Sequence, residues 1–293
     1  MSACSACPRQ CGADRAHGAL GFCGVPEALV VARAAPHFGE EPCISGERGS
    51  GAVFFSGCTL RCVFCQNYGL SRAKQGKEIT VSRLREIFLK LRDQGVHNLN
   101  LVTASHYVRP VVEALSGLDL GIPVVWNSSG YESVESLRML DGLVQVYLPD
   151  LKYMDDALAA RYSAAQDYPE IAQTAIREMF RQRGKFALDG DGMLRSGVLI
   201  RHLILPRHGQ NTKQVIDWVS DSFEPDDVMF SLMSQYTPMG DLRHFPELQS
   251  PVSPALDRAL YRYLMDSPIE HGFYQDRDAS GMTMIPKFDL TGI

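Results

Sequence analysis

The feature that most constrains the fold is an alternation, from residue 50 onward, of short β-branched apolar runs with longer amphipathic segments. The apolar runs are nearly continuous, which is typical of strands in a parallel sheet that is covered on both faces. Six of these runs are predicted as strands, at 52–57, 98–103, 123–128, 143–149, 197–206 and 228–233.

Each predicted strand is followed by a segment whose apolar residues recur with helical spacing. In 82–95 these residues fall on one face, with Ser82 expected as the N-cap and Gly95 as the stop. The other predicted helices are 107–119, 132–140, 169–184, 212–223 and 254–265. Six strand–helix units predict an α/β fold, in the form of an incomplete TIM-like barrel rather than one of eight units. A β-hairpin is expected at 185–197.

The rest of the chain divides around this barrel. Residues 1–48 are rich in Cys, Gly, Pro and Arg and are predicted to form a small N-terminal module, with one possible strand at 28–34. The barrel is expected to span 49–270. Residues 271–293 are expected to form a C-terminal tail that wraps the surface.

Composition and charge exclude several functions. A net charge of −5 and a pI near 5.9 argue against a nucleic-acid partner. No apolar run approaches the roughly 18 residues that a membrane span needs, so a cytoplasmic location is expected. Eight cysteines in that reducing compartment indicate metal, cluster or redox chemistry more often than disulfides.

Three of the cysteines, Cys58, Cys62 and Cys65, lie in "GCTLRCVFCQN" (57–67), directly after the first predicted strand. In parallel α/β folds, chemistry is placed at this edge of the sheet. Three thiolates can hold three irons of a cubic [4Fe–4S] cluster and leave the fourth iron open to a substrate atom. A structural zinc or cluster is the alternative.

Further polar side chains follow the other predicted strands, at one rim of the barrel. They are Thr103, Ser105, His106, Asn127, Ser129, Asp150, Lys152, Gln235 and Tyr236. Asp150 and Lys152 are two residues apart on a strand and can point the same way; a structural ion pair is the alternative. Arg201 lies inside an apolar strand, and a buried guanidinium needs an anionic partner.

Four more cysteines, Cys4, Cys7, Cys11 and Cys23, form a Cys-x2-Cys-x3-Cys-x11-Cys run. Four thiols suit a closed structural zinc or a second iron–sulfur cluster. The tight first gaps favour the cluster over a zinc ribbon, and unliganded thiols remain a third interpretation.

The Cys-x3-Cys-x2-Cys spacing, with Phe64 before the third cysteine, resembles the motif of the radical S-adenosylmethionine (SAM) enzymes. Its flanks resemble the branch of the pyruvate formate-lyase-activating enzymes, in particular a subgroup with an N-terminal Cys-x2-Cys-Pro-Arg-x-Cys-Gly module. The resemblance covers residues 4–240. The segments that carry it are "CPRQCG" (7–12), "GSGAVFFSGC" (49–58), "NLNLVTASHY" (98–107), "NSSGY" (127–131), "YLPDLKY" (147–153), "IRHLILP" (200–206) and "SQY" (234–236).

The resemblance implies a mechanism. SAM would chelate the open iron of a [4Fe–4S] cluster held by Cys58, Cys62 and Cys65, and one electron would cleave it to methionine and a 5′-deoxyadenosyl radical that abstracts hydrogen. An electron donor such as flavodoxin or ferredoxin is implied as a partner. The residues implied to bind SAM are Thr103, His106, Asn127, Ser129, Asp150, Lys152, Arg201 and Tyr236. The SAM carboxylate is the expected partner of Arg201, ahead of Asp150.

One segment departs from the branch. The activating enzymes usually carry Gly-Gly-Glu-Pro after the second strand to bind the amino group of SAM, where this chain has "VTASH" (102–106). Thr103, Ser105 and His106 are the candidate replacements.

The resemblance gives the first functional hypothesis, which is an activase that places a radical on a glycine of a partner glycyl radical enzyme. The second is a radical SAM enzyme acting on a small molecule or another protein, and the third is a non-enzymatic iron–sulfur electron-transfer protein.

Overall fold

Strands and helices alternate as predicted in the residues that the computed structural model describes, which are 4–72, 75–275 and 286–293. The strands are β1 (Leu29–His37), β2 (Ser50–Phe55), β3 (Lys77–Ile79), β4 (Leu99–Val102), β5 (Val124–Ser128), β6 (Val146–Pro149), β7 (Ala187–Leu188), β8 (Leu194–Leu203), β9 (Met229–Met233) and β10 (Gly272–Gln275). The α-helices are α1 (Pro42–Ser45), α2 (Tyr68–Ser71), α3 (Val81–Asp93), α4 (Val108–Leu115), α5 (Val134–Met139), α6 (Asp156–Ser163), α7 (Tyr168–Arg183), α8 (Gly209–Ser222) and α9 (Pro254–Met265). Each predicted strand and helix is present, with ends shifted by a few residues.

Seven strands run parallel in the order β10–β9–β8–β6–β5–β4–β2, and helices connect them along the chain. The strand–helix units are β2–α3, β4–α4, β5–α5, β6–α7, β8–α8 and β9–α9. In the described residues the two ends of the sheet do not pair with each other. The fold is therefore the incomplete α/β barrel of six units that the sequence predicts, and the hairpin of β7 with β8 is also confirmed.

Both ends of the chain extend this sheet. Strand β1 pairs antiparallel with β2, and β3 pairs antiparallel with β1, so the possible N-terminal strand joins the barrel. Strand β10, in the segment expected to be a tail, pairs parallel with β9. The last residues run beside β1, where the Ala34 amide donates to the Thr291 carbonyl at 2.8 Å. Residues 276–285 of the expected tail lie outside the described part of the chain, and the boundaries of the three predicted domains stay predictions.

The expected N-cap of α3 is wrong. The helix begins at Val81, and Thr80 caps it by accepting a 3.1 Å hydrogen bond from the Arg83 amide. Ser82 is already helical, and a capping residue must keep an extended backbone outside the first turn. The expected stop is confirmed, because Gly95 takes the left-handed conformation (φ +80°) just after the helix end.

A short segment between β1 and β2 closes the lower end of the barrel, and we call residues 38–46 the plug. Cys43 and Ile44 of the plug are buried among the inward-facing apolar residues of four strands: Val125, Val146, Leu148, Leu194, Leu199 and Met229. The Asn98 side chain donates to the Ile44 carbonyl at 2.7 Å and accepts from the Ser50 hydroxyl at 2.6 Å. The plug is therefore held by both apolar contact and hydrogen bonds, and it forms a floor beneath the mouth of the barrel.

Shortening the plug's central side chain tests this role. The Ile44→Ala substitution should lower the free energy of unfolding by roughly 2–5 kcal/mol, because Ile44 is fully buried and its loss leaves a cavity. Urea denaturation monitored by circular dichroism measures this change. Leu188→Ala, at a half-exposed position of the β7 hairpin, is the control and should change stability by less than about 0.5 kcal/mol. Equal denaturation midpoints for the two variants would show that the plug does not support the barrel.

Candidate functional site

A cavity of about 250 Å³ opens at the carboxyl ends of the parallel strands. All three cysteines of the loop after β2 line it, which places that loop over the barrel mouth. Six of the eight residues predicted to bind SAM also line it, and they come from four different strands or the loops after them: Thr103, Asn127, Ser129, Asp150, Lys152 and Arg201. The predicted convergence of polar side chains at one rim is therefore present in the structure.

The cysteine loop leaves β2 through a turn that requires glycine. Gly57 has a φ of +85°, and a Cβ there would lie 2.7 Å from Val25, 3.0 Å from the Cys23 carbonyl and 3.0 Å from the His106 ring. A larger residue would combine backbone strain with a clash on three sides. The turn directs the thiols of Cys58 and the residues after it into the cavity.

Polar groups surround the loop sulfurs. The Sγ of Cys58 accepts from the amides of Leu60 and Arg61, both at 3.4 Å, and the Sγ of Cys62 accepts from the Ser163 hydroxyl at 3.0 Å. Burial and the neighbouring Cys62 raise the pKa of Cys65, while the Lys152 ammonium acts in the opposite direction. Hydrogen bonds of this kind tune the ligands of iron–sulfur clusters.

The three buried thiols would lose their protons only if a strong positive charge beside the sulfurs stabilised the thiolates. Burial, followed by repulsion from Cys62 and Cys65, raises the pKa of Cys58 to about 12. Iron supplies such a charge and deprotonates a coordinating thiol outright. Three crowded thiols with hydrogen-bond donors aimed at their sulfurs therefore fit a [4Fe–4S] cluster better than free thiols.

The cavity floor carries a chain of buried charges centred on Arg201. Its guanidinium donates to Asp150 Oδ1 at 3.1 Å, to Glu40 Oε2 at 2.9 Å and to Asn127 Oδ1 at 2.6 Å. Lys152 Nζ donates to the second oxygen of Asp150 at 2.5 Å. Burial opposes the charge on Asp150, but Lys152 and Arg201 outweigh it and lower its pKa.

These contacts bear on the expected partner of Arg201. The structure pairs Arg201 with Asp150, the partner ranked second in the sequence analysis, and with Glu40. A guanidinium has five N–H donors, and three of them are engaged here. Two donors are therefore left for a ligand carboxylate, so the ion pairs and SAM binding are compatible.

Two acidic residues of the plug, Glu40 and Glu41, line the cavity and were missed by the sequence analysis. Glu40 accepts from Asn100 at 3.1 Å and from Asn127 at 3.0 Å with the carboxylate oxygen that does not face Arg201. Glu41 is buried, and neither of its carboxylate oxygens has a hydrogen-bond partner in the described residues. Burial raises its pKa, against the effect of Arg201.

Thr103 and Ser129 are held in place by the backbone of neighbouring strands. Thr103 takes the left-handed conformation (φ +62°), which is uncommon for a β-branched residue, and its amide donates to the Asn127 carbonyl. After Ser129, a Cβ on Gly130 would lie 2.2 Å from the Asp150 carbonyl, so glycine is needed there. Strained backbone of this kind concentrates at functional sites.

His106 and Tyr236 do not line the cavity. His106 is buried behind the cysteine loop, its Nε2 lies 2.7 Å from the Ser56 carbonyl, and burial lowers its pKa to about 3, so the ring is neutral. Tyr236 donates to the Leu248 carbonyl at 2.7 Å and packs edge-on against Phe64. Both brace the loop from outside, and Thr103 is the one candidate in "VTASH" that reaches the cavity.

The N-terminal cysteines lie beside the same loop. Cys7 and Cys23 are buried, Cys4 is partly buried and Cys11 is exposed. In the described chain, no three His, Cys, Asp or Glu side chains are arranged to hold a single metal ion, and this applies equally to Cys58, Cys62 and Cys65.

Comparison with known proteins shows what an incomplete parallel barrel with three cysteines over its mouth is similar to. Residues 52–185 match the model of the Radical SAM superfamily. The match includes the cysteine loop and covers a little under half of the chain. An uncharacterized protein of Methanocaldococcus jannaschii is 29% identical over 255 residues, which cover 84% of this chain and 69% of that protein.

Solved structures support the fold. Streptococcus suis SuiB bound to its precursor peptide SuiA matches with a TM-score of 0.51 and 13% identity, over 75% of this chain and 46% of that one. SuiB bound to S-adenosylmethionine matches with a TM-score of 0.50 and 11% identity, over 75% and 48%. The matched region spans about half of SuiB, and at this identity the likeness shows the fold alone.

Removing the charge of Glu40 tests whether its ion pair with Arg201 on the cavity floor stabilises the fold. Glu40→Gln should lower the free energy of unfolding by about 2 kcal/mol, because a charge-assisted hydrogen bond to Arg201 is lost from a buried site. Chemical denaturation measures the change. Glu47→Gln, at an exposed position just after the plug, is the matched control and should stay within about 0.5 kcal/mol of the wild type. Equal free energies of unfolding for the two variants would show that the ion pair of Glu40 does not stabilise the fold.

Glu132, after β5, should make stability depend on pH. Burial raises its pKa to about 7, although Ser105 and Trp126 donate to it. Because this folded pKa exceeds that of an exposed glutamate, the stabilisation is fully present below about pH 4.5 and is lost as the pH rises through 7.

The free energy of unfolding should fall by about 3 kcal/mol as the pH rises from the pKa of an exposed glutamate, 4.5, to that of buried Glu132, about 7. Denaturation midpoints measured from pH 5 to pH 8 should therefore fall more steeply for the wild type than for Glu132→Gln. Glu135→Gln, at an exposed position on α5, should retain the wild-type slope. Parallel profiles for the wild type and Glu132→Gln would contradict the assignment.

Proposed function

We propose that the chain is an activase that uses a [4Fe–4S] cluster at Cys58, Cys62 and Cys65 and SAM to place a radical on a glycine of a partner protein. The observation that carries the proposal is the convergence of the three thiols and the charge chain of Arg201 on one cavity at the barrel mouth. The bound cluster and SAM would supply a 5′-deoxyadenosyl radical, which abstracts hydrogen from an unreactive C–H bond.

The lining of the cavity matches the two ends of SAM. Arg201, Asp150 and Lys152 offer both signs of charge for the amino and carboxylate groups of the methionine end. The apolar residues that could cover the adenosine end are Leu60, Phe64, Val102, Leu203 and Met233. Asn127, Ser129 and Thr103 add hydrogen-bonding groups between these regions, as a ligand site with few convergent polar groups does.

The size of the cavity supports a macromolecular substrate over a free small molecule. Its volume of about 250 Å³ lies just below the roughly 300–1,000 Å³ that is typical of ligand sites. With SAM bound, little room would remain, and the plug blocks approach from below. A loop of a partner protein can deliver one residue to the mouth and leave its bulk outside.

We also propose a cytoplasmic location and a one-electron donor of the flavodoxin or ferredoxin class. All eight cysteines are free thiols, which suits a reducing compartment. In the described part of the chain, no helix is long and apolar enough to cross a bilayer. The net charge of −5 supports a partner that is not a nucleic acid.

The decisive experiment is anaerobic incubation of the reconstituted protein with SAM, a reductant and candidate glycyl radical proteins, followed by electron paramagnetic resonance. A glycyl doublet on the partner, together with 5′-deoxyadenosine, is the expected result. The Cys58→Ala/Cys62→Ala/Cys65→Ala variant should give neither. Cys43→Ala, which removes a thiol from the plug instead, should keep both signals.

Other outcomes would select the competing hypotheses. Formation of 5′-deoxyadenosine without a protein radical would replace the activase with an enzyme that modifies a small molecule or a different protein. An intact cluster with no SAM cleavage would leave a non-enzymatic electron-transfer protein. Cleavage of SAM by the triple variant would remove the cysteine loop from the mechanism.

A further inference from the structure

The four N-terminal cysteines converge through two backbone turns. Cys4 pairs with the segment after Cys11 through two backbone hydrogen bonds. The Cys4 amide donates to the Ala13 carbonyl and the Gly12 amide donates to the Cys4 carbonyl, both at 3.2 Å. Between Cys7 and Cys11, Gln10 turns the chain in the left-handed conformation (φ +41°), and its amide donates to the Cys7 carbonyl.

The fourth cysteine is brought in by the following loop. The Sγ of Cys11 would lie 2.6 Å from a Cβ on Gly21, so glycine lets the chain pass close to this sulfur two residues before Cys23.

A buried arginine beside these thiols has no carboxylate partner. Arg15 is 8% exposed, and its guanidinium donates to the carbonyls of His106 and Pro26 and approaches the Sγ of Cys4 at 3.9 Å. No ion pair of Arg15 with an acidic side chain is present in the described residues, and its Nε has no hydrogen-bond partner. A buried cation of this kind needs an anion. A metal centre held by four thiolates is anionic and would lie next to it.

The arrangement of the sulfurs does not fit a single zinc ion. Zinc holds four sulfurs at about 2.3 Å in one tight tetrahedron, and the described cysteines do not form such a group.

The two sets also touch each other. The Cys23 carbonyl lies 3.0 Å from the Cβ position of Gly57, the residue before Cys58. Arg61 donates to the Phe22 carbonyl at 3.3 Å, and Arg9 donates to the Thr59 carbonyl at 2.9 Å. Backbone that belongs to one set thus packs directly on backbone that belongs to the other.

We propose that Cys4, Cys7, Cys11 and Cys23 bind a second, fully ligated [4Fe–4S] cluster that relays electrons to the cluster at Cys58, Cys62 and Cys65. When bound, the second cluster would take one electron from a protein donor, which is oxidised, and would pass it to the cluster held by Cys58, Cys62 and Cys65. The relay rests on the proposed radical SAM function, whereas the presence of the second cluster does not.

Iron counting on anaerobically reconstituted protein tests the site. The wild type should hold about eight irons per chain, since each [4Fe–4S] cluster contributes four. The triple alanine variant of Cys58, Cys62 and Cys65 should retain about half of them in a reducible cluster whose spectrum does not respond to SAM. Cys43→Ala is the matched control, because it removes the eighth cysteine from outside both sets and should keep the full iron content.

The outcomes separate this proposal from the proposed function. Loss of all iron from the triple variant, or one zinc per chain in place of the second cluster, would overturn the second cluster and leave the SAM chemistry intact. Retention of iron by the triple variant with no SAM cleavage by the wild type would do the reverse. Cys11→Ser, at the exposed ligand, should keep the fold and shift the spectrum and potential of the second cluster alone.

The relay has its own test. A variant with Cys4, Cys7, Cys11 and Cys23 replaced by alanine should still cleave SAM with dithionite, which reduces the first cluster directly. With reduced flavodoxin as the donor, its SAM cleavage should be lost. Circular dichroism confirms that this variant is folded, and equal activity with both donors would show that the second cluster is not on the electron path.

Discussion

The buried guanidinium of Arg201 is the interaction on which the site depends. It ties β8 to Asp150 at the end of β6, to Asn127 on β5 and to Glu40 on the plug, so one side chain joins three strands and the N-terminal segment. Three of its neighbours are acidic, Asp150, Glu40 and Glu41, whereas Lys152 is the other cation of the group. Breaking any one pair would leave an uncompensated charge in a low-dielectric interior, which is strongly destabilising. The strand ends at the cavity are therefore held in register by charge as well as by the sheet.

Around Arg201 opposite charges attract one another, whereas in the cysteine loop three thiolates would repel one another. Its three sulfurs are crowded and buried, and each thiolate would raise the pKa of the next. The loop is held in this arrangement by contacts that do not involve a ligand: the Gly57 turn, the His106 ring against Ser56, and Tyr236 behind Phe64. This explains why His106 and Tyr236 lie outside the cavity although they follow strands that end at its rim. His106 and Tyr236 stabilise the position of the loop. The irons of the proposed cluster would balance the negative charge of the three thiolates.

Much of the fold could be predicted from the sequence, because a parallel strand buried on both faces gives an unbroken apolar run. Four-residue β10 has no such run, since "GFYQ" is half polar and its residues are partly exposed. Helix α6 was missed because it is short and its buried residues, Ala159, Tyr162 and Ser163, mark a buried face weakly. Motif spacing identified Cys58, Cys62 and Cys65, but no local pattern points to Glu40, which meets Arg201 across 161 residues of chain. Side-chain direction after a strand is likewise set by tertiary packing, as the one-turn 3₁₀ helix that carries His106 shows.

The plug determines how a substrate can reach the reacting atoms. In many α/β barrels the interior is filled by layers of strand side chains, but here part of that filling comes from Cys43 and Ile44, which precede the first parallel strand. Because the same segment carries Glu40 and Glu41 upward to the cavity, the lower end of the barrel is closed by apolar contact and its upper face is charged. In the part of the chain that the structure describes, the cavity is then open at the mouth, beside the cysteine loop. The N-terminal segment packs on the backbone of that loop, through Arg9 against Thr59 and Cys23 against Gly57. If the proposed second cluster relays electrons, they would reach the loop through this contact, while the substrate would use the mouth of the cavity.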